Sequence, residues 1–266
     1  MRIRRLGWAG LEIHAAGATA VIDLFEEVGP MGRFIGPPRG PLPGPSGRGQ
    51  VSLGLVTHLH ADHADPRALA RALGPGGIVL GPPRDDDELM PFVGAAFAKL
   101  GVEYHAVTLW ETVEVGPFSA TAVPAVDGFG DPQVSWALSA GDGRILHCGD
   151  TMFHGWWWLA RERCGPFDAA FLPINGPIVS VPGRQPHSRL PAVMDPRQAA
   201  EAAALLQAEL AIPIHYDTLE NPPAYTQVQR PLETFLAEAE ARGVRARALA
   251  AGEEVELAAP LIPEPA

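Results

Sequence analysis

Cysteine is scarce in this chain. Cys148 and Cys164 are the only two in 266 residues, too few for a disulfide framework. Long apolar runs are missing as well, and no stretch approaches the roughly 20 residues that span a bilayer. A secretory leader is not visible. The first five residues are basic, but Glu12 and His14 interrupt the stretch where an apolar core would stand. These absences point to a reducing cytoplasm. Positive charge is also in deficit: 20 Lys and Arg against 31 Asp and Glu give a formal net charge of −11. Nucleic-acid binding needs clustered cations against phosphate, so neither nucleic acid nor a membrane is an expected partner. A small molecule, anionic or neutral, is the expected one. A homo-oligomer stays open. Internal repeats and Gly-rich phosphate loops are absent too.

What is present suits one compact enzyme domain over residues 1–266. Hydrophobic residues make up 47% of the chain, ample for a core, and 29 glycines with 28 prolines imply many turns and short elements. Seven glycines and six prolines fall within residues 29–49, which therefore read as a surface loop over the site without regular structure, or as a disordered insertion. Residues 11–14 and 19–24 read as a hairpin turning near Ala15-Ala16-Gly17. Strands are expected at 103–107, 111–115, 118–123, 134–139 and 144–147, the last two joined by a turn at Gly141-Asp142-Gly143. Helices are expected at 66–73 with Asp65 as N-cap, at 87–100 through Pro91, from Asp195-Pro196 to about Leu210, and at 235–242. The tail from Pro260 reads as loose.

The densest chemistry lies in Thr57-His58-Leu59-His60-Ala61-Asp62-His63. Three of the nine histidines and a carboxylate follow directly on the apolar run Val51-Ser52-Leu53-Gly54-Leu55-Val56, which reads as a buried strand. His58 and His60 are two apart and would point the same way on extended backbone. Asp62 and His63 then fall on a turn and can aim elsewhere. One pair can serve one metal while the next serves a second.

This motif resembles, residue for residue, the signature of the metallo-β-lactamase-fold hydrolases. Gly149-Asp150-Thr151, after Arg144-Ile145-Leu146-His147-Cys148, is similar to that family's Gly-Asp-Thr turn. Ala211-Ile212-Pro213-Ile214-His215-Tyr216 is similar to its late strand ending in a histidine ligand. The opening residues 4–13 and the block Leu172-Pro173-Ile174-Asn175-Gly176 resemble the branch that includes L-ascorbate-6-phosphate lactonase. The resemblance implies a four-layer αββα sandwich and two divalent metal ions, zinc or manganese, with iron also admissible. It implies His58, His60 and Asp127 on the first metal, Asp62, His63 and His215 on the second, and Asp150 bridging them. Two such ions activate a water and polarise the substrate. Asp127 is a departure, since that branch usually carries histidine there. It either ligates as a hard oxygen donor, shifting preference toward iron or manganese, or caps the turn before Gly128. Val193 is a smaller departure at another position where that branch often carries histidine.

Other candidates are weaker. Asp62 and Asp150 can take part in proton transfer. His154, four residues after Asp150, can donate a proton to a leaving group or bind an anionic substrate, or else lie on the surface. His187 shares its loop with Arg184 and Arg189 and can contact substrate, as can Asn175. Trp156, Trp157 and Trp158 cannot share one helix face, so at least one is exposed or lines a pocket wall. Cys148 reads as a buried, inert thiol, and His14, His105 and His147 as structural. The expected activity is hydrolysis of a small lactone, ester or phosphodiester. The alternatives are a non-haem iron oxidoreductase and a binding protein with a crippled first metal site.

Overall fold

A computed structural model describes residues 1–85, 88–181 and 184–257. The first strands are β1 (Arg2–Arg5), β2 (Leu11–Ala15) and β3 (Ala18–Ile22), followed by a 3-10 turn that leads into α1 (Gly32–Ile35). Next come β4 (Val51–Leu55), α2 (Pro66–Ala72), β5 (Leu73–Gly81), α3 (Pro91–Lys99) and β6 (Tyr104–Ala106). The second half runs β7 (Thr112–Val115), β8 (Phe118–Pro124), β9 (Val134–Ala140), β10 (Gly143–His147), α4 (Trp157–Cys164) and β11 (Ala169–Pro173). It closes with β12 (Ile178–Val179), α5 (Pro196–Leu206), β13 (Ala211–Ile214), β14 (Tyr225–Thr226), α6 (Pro231–Ala241) and β15 (Glu254–Glu256).

Two large sheets stack face to face. One has the order β15-β1-β2-β3-β4-β5-β6 and the other β13-β11-β10-β9-β8-β7; β12 and β14 form a separate ribbon. Period-two alternation explains the stacking. In β9, Val134, Trp136, Leu138 and Ala140 join the core between the sheets, together with Leu53, Leu55, Phe118, Ile145, Phe171 and Ile212. The outer faces are covered by helices. Leu69, Val93 and Phe97 of α2 and α3 pack beside Val21 and Val79 on the first sheet. Trp157, Ala199, Ala203, Leu206 and Phe235 of α4, α5 and α6 pack beside Leu146 and Leu172 on the second. The result is the αββα arrangement. Each fully buried Leu or Phe contributes roughly 1.5–3 kcal/mol. Among the described residues no helix is long and apolar enough to cross a membrane.

Both sheets place their parallel strands side by side. β3, β4, β5 and β6 run parallel in one, and β10, β11 and β13 in the other. Helices make the return crossings, so the carboxyl ends of the central strands open toward one edge of the sandwich. Ligands bind at such ends in open α/β sheets.

Several boundaries differ from the sequence reading. Residues 29–49 are not wholly irregular: Gly29–Met31 is 3-10 and Gly32–Ile35 is α-helical. Phe34 and Leu42 pack against the inter-sheet core, which supplies the order that composition does not. The helix expected from residue 87 begins at Pro91, where a missing N–H costs nothing; Asp87 itself lies outside the described residues, as does the tail from Pro260. α5 stops at Leu206 because Gln207 adopts a left-handed conformation, φ 50°. β1, β5, β11, β12, β14 and β15 were not foreseen. β5 opens as Leu-Gly-Pro-Gly-Gly, a composition that masks a strand.

Candidate metal centre

The site is built at the carboxyl ends of four strands. After β4 the chain delivers His58, His60, Asp62 and His63; after β8 it delivers Asp127, after β10 Asp150, after β13 His215. All seven are buried, none more than 7% exposed. One donor atom from each of His58, His60, Asp127 and Asp150 lies within 4.8 Å of the others. Asp62, His63 and His215 form a second group by the same measure.

The separations show how the groups face one another. His58 Nε2 lies 3.6 Å from Asp150 Oδ1, and His60 Nδ1 lies 3.9 Å from Asp127 Oδ2. The other oxygen of Asp150, Oδ2, is 3.8 Å from His63 Nε2 and 4.0 Å from His215 Nε2. His63 Nε2 and His215 Nε2 are 3.0 Å apart, and Asp62 Oδ2 stands 3.7 Å and 3.9 Å from them.

These residues fit a pair of divalent cations. His58 Nε2 and Asp127 Oδ2 are buried and have no hydrogen-bond partner, a costly state for a polar atom unless a cation completes it. Four buried carboxylates, Asp23, Asp62, Asp127 and Asp150, crowd the cluster, and no Arg or Lys pairs with Asp62, Asp127 or Asp150 among the described residues. Burial lifts the Asp150 carboxyl to about 7, with Asp127 and Asp62 adding repulsion. Burial pushes His58 and His215 well below the usual imidazole value, and neighbouring histidines push the same way. His60 and His63 go the other way. Burial opposes their charge, but for His60 the hydrogen bond to Asp131 and the charges of Asp127, Asp150 and Asp62 raise it to about 9. For His63, Asp23, Asp62 and Asp150 raise it to about 10.

A second layer of residues orients these donors. Asp23 follows β3 with φ 47° and is fully buried. Its Oδ2 accepts from His63 Nδ1 at 2.7 Å and from Thr57 Oγ1 at 2.8 Å, while Oδ1 accepts the Thr57 amide. Thr57 Oγ1 in turn accepts from His58 Nδ1 at 3.0 Å. One carboxylate thereby fixes the tautomers of two histidines and leaves their Nε2 atoms facing inward. His60 Nε2 donates to Asp131, so its Nδ1 faces the cluster. His215 Nδ1 donates to Asn175 Oδ1, Trp8 Nε1 donates to Asp62 Oδ2, and Gln133 Nε2 donates to Asp150 Oδ1. His215 holds φ 58°, and its amide bonds to Trp8 O beneath the Trp8 ring. Strain of this kind persists where surrounding structure over-determines it. Gly149 is also required: at φ 61° a Cβ would stand 2.7 Å from Thr57 Oγ1.

Asp23, Asp131, Gln133 and Trp8 did not emerge as site residues from the sequence. Asp23 left a usable signal, a lone acid at the end of the apolar run Ala20-Val21-Ile22. Asn175, expected at the substrate, is instead fully buried, its amide spent on His215 and Tyr225. Trp157 is buried, whereas Trp156 and Trp158 are 44% and 57% exposed. His154 stacks on Trp157 with centroids 4.0 Å apart, and its Nδ1 accepts the Trp156 amide. That leaves Nε2 as a buried N–H with no partner, and burial lowers the ring to about 4. With the ring held neutral, His154 presents an N–H, the form suited to binding a substrate oxygen among the roles open from the sequence. Cys148 is fully buried and its thiol is pushed up by burial. His187 is exposed and pairs with Gln185. It lines a cavity of about 270 Å³ together with Phe129, Met152, Val181, Arg184 and Leu190. Phe129 joins this cavity to the centre, its ring 5.9 Å from His60.

Comparison with known proteins agrees with this geometry. The sequence profile of the beta-lactamase superfamily domain matches residues 21–216. A UPF0173 metal-dependent hydrolase of Koribacter versatilis is 30% identical over 200 residues, 70% of this chain and 74% of that one. Among solved structures, CmlA, a diiron β-hydroxylase from Streptomyces venezuelae, superposes with a TM-score of 0.71 at 16% identity, over 96% of this chain and 54% of that one. An isothiocyanate hydrolase from Delia radicum gut bacteria gives 0.69 at 16% identity, over 96% of this chain and 99% of that one. At such identities the likeness to the two structures is one of fold.

Proposed function

The chain belongs to the beta-lactamase superfamily and, within it, to the UPF0173 metal-dependent hydrolases, and on that footing we propose a dinuclear hydrolase of small lactones, esters or phosphodiesters. One observation carries this reading: two groups of buried donors meet at Asp150, whose two oxygens face opposite groups. His58, His60 and Asp127 would hold the first ion, Asp62, His63 and His215 the second, and Asp150 would serve both. When bound, such ions supply an activated water and polarise the scissile group.

The chain's own residues set the rest. Asp23, Asp131 and Asn175 hold the imidazoles in the tautomers that present a lone pair inward. Asp62, held by the Trp8 indole, is placed to accept a proton if only one ion is bound. His154 offers an N–H to a substrate oxygen. Arg184 and His187 in the neighbouring cavity suit a substrate with an anionic group, and Phe129 and Leu190 suit an apolar part. Trp156 is exposed enough to meet substrate at the rim. The lactone reading rests on the resemblance of residues 4–13 and 172–176 to L-ascorbate-6-phosphate lactonase.

A second reading, iron-dependent oxidation, draws on Asp127, an oxygen donor that favours iron or manganese over zinc. Metal analysis by mass spectrometry separates the two. Zinc or manganese near two per chain, with turnover on a panel of lactones, aryl esters and phosphodiesters, is the expected result. Iron with oxygen consumption would move the assignment to oxidation. Asp150→Ala should lose metal and turnover together while keeping the fold; a variant that kept both metals and full turnover would defeat the dinuclear reading.

A further inference from the structure

A second pocket lies on the outer face of the second sheet, at the ends of β8, β9 and β10 remote from the metal donors. Its volume is about 330 Å³. Strand register builds its floor. Glu114, Ser119, Ser139 and Arg144 align across β7, β8, β9 and β10, and Thr112, Thr121 and Ala137 form the next row. These residues share a face, and all but Glu114 and Arg144 at the ends of the first row are small, so the rows leave a groove. The last turn of α4 forms one wall with Arg163 and Cys164. Trp110 forms another, and the Arg163 guanidinium lies 4.6 Å above its ring. Trp110 holds φ 69°, a conformation costly for an aromatic residue, locked by its amide on Ala122 O.

The polar groups have a direction. Arg144 and Arg163 both line the α4 end, and neither guanidinium makes an ion pair among the described residues; the Arg144 guanidinium donates to Gly165 O, and the Arg144 amide donates to Asp168 Oδ2 at 2.6 Å. Hydroxyls of Ser119 and Ser139, with those of Thr112 and Thr121 bonded to each other at 2.8 Å, line the middle, and Glu114 stands beyond the pocket lining at the β7 end of the strand row. In a chain of net charge −11, two unpaired guanidiniums converging on a concave surface select an oxyanion. A row of hydroxyls ending in a carboxylate selects hydroxyl groups, which can both donate and accept.

We infer that this pocket binds a phosphomonoester of a small polyhydroxylated molecule, the phosphate on Arg144 and Arg163 and the hydroxyls along the strand face toward Glu114. The site is separate from the metal centre and does not depend on the hydrolase reading. Cys164 provides a local reporter. It lines the pocket and is half-buried, whereas Cys148 is inaccessible. The rate of Cys164 alkylation by iodoacetamide at alkaline pH should be measured on the full metal-loaded chain, with glucose 6-phosphate, inorganic phosphate or glucose added. The expected result is saturable protection by glucose 6-phosphate, weaker protection by phosphate and none by glucose. In Arg163→Gln and in Arg144→Gln, each compared with its own rate without ligand, protection should require at least about tenfold more ester. Arg163→Gln removes no hydrogen bond of the fold and so guards against a folding failure of the other variant. Absent protection, protection unchanged in both variants, or protection by phosphate or glucose equal to that by the ester would each overturn the assignment.

Discussion

A carboxylate is a harder and more negative donor than an imidazole, and Asp127 brings one to a group whose other members are two histidines and Asp150. Its two oxygens are used differently. Oδ1 accepts the amides of Phe129 and Asp131, the turn-capping role, while Oδ2 is buried, unpartnered and aimed at His60. The two roles weighed from sequence are therefore compatible on one side chain. Asp127→His should tighten zinc relative to manganese, read by competitive metal titration of the purified protein. An unchanged zinc-to-manganese ratio would reduce Asp127 to a turn residue. At this scale His58 to His63 were legible because several donors crowd together after an apolar strand, whereas Asp150 and His215 were reached only through the resemblance of their segments to a known family. Asp23 and Asp131 were not legible, because a carboxylate that holds a histidine through one hydrogen bond looks like any other acid until the fold brings it there.

The elements that were legible are those with local chemistry at their ends. Asp65 accepts from the Arg67 and Ala68 amides at the start of α2. Asp195 does the same for Arg197 and Gln198, and the Gln198 side chain returns the bond to the Asp195 amide, a reciprocal cap on α5. β5 and β15 carry no such signal, since pairing with distant strands and not local propensity makes them strands. α5 matters beyond its own length. Its alanine-rich face packs under β11, whose end carries Asn175 toward His215. Asp195→Ala should cost about 1 kcal/mol, a fall of roughly 2–4 °C in Tm for a chain of this size. Metal content should stay at the parent level. A variant with parental Tm, or one that loses metal along with stability, would show that the cap does not act locally.

For the whole molecule, the centre sets how stability responds to pH. Four buried imidazoles face four buried carboxylates, so protons and metal ions compete for the same atoms. In the metal-free protein His60 and His63 are raised from 6.5 to about 9 and about 10. The stability they contribute is fully present below 6.5 and is lost as pH rises through those values. Asp150, raised from 3.8 to about 7, acts in the same sense: its preference for the protonated form in the fold is lost as pH rises through about 7. His58 and His215, lowered by burial, destabilise only on the acid side of 6.5. The metal-free protein should therefore lose stability from about pH 6.5 to about pH 10 through His60 and His63, the Asp150 loss being complete by about 7. Metal binding needs those same nitrogens deprotonated, so affinity rises over that range, and with it the stabilisation that bound metal confers, about 2.7 kcal/mol at a hundredfold excess over Kd. Scanning calorimetry of chelated and metal-saturated protein at about pH 7 and about pH 9 should show the gap in Tm widening with pH. A gap that stays constant or narrows would mean that the histidines raised by their carboxylates are not the groups that hold the metal.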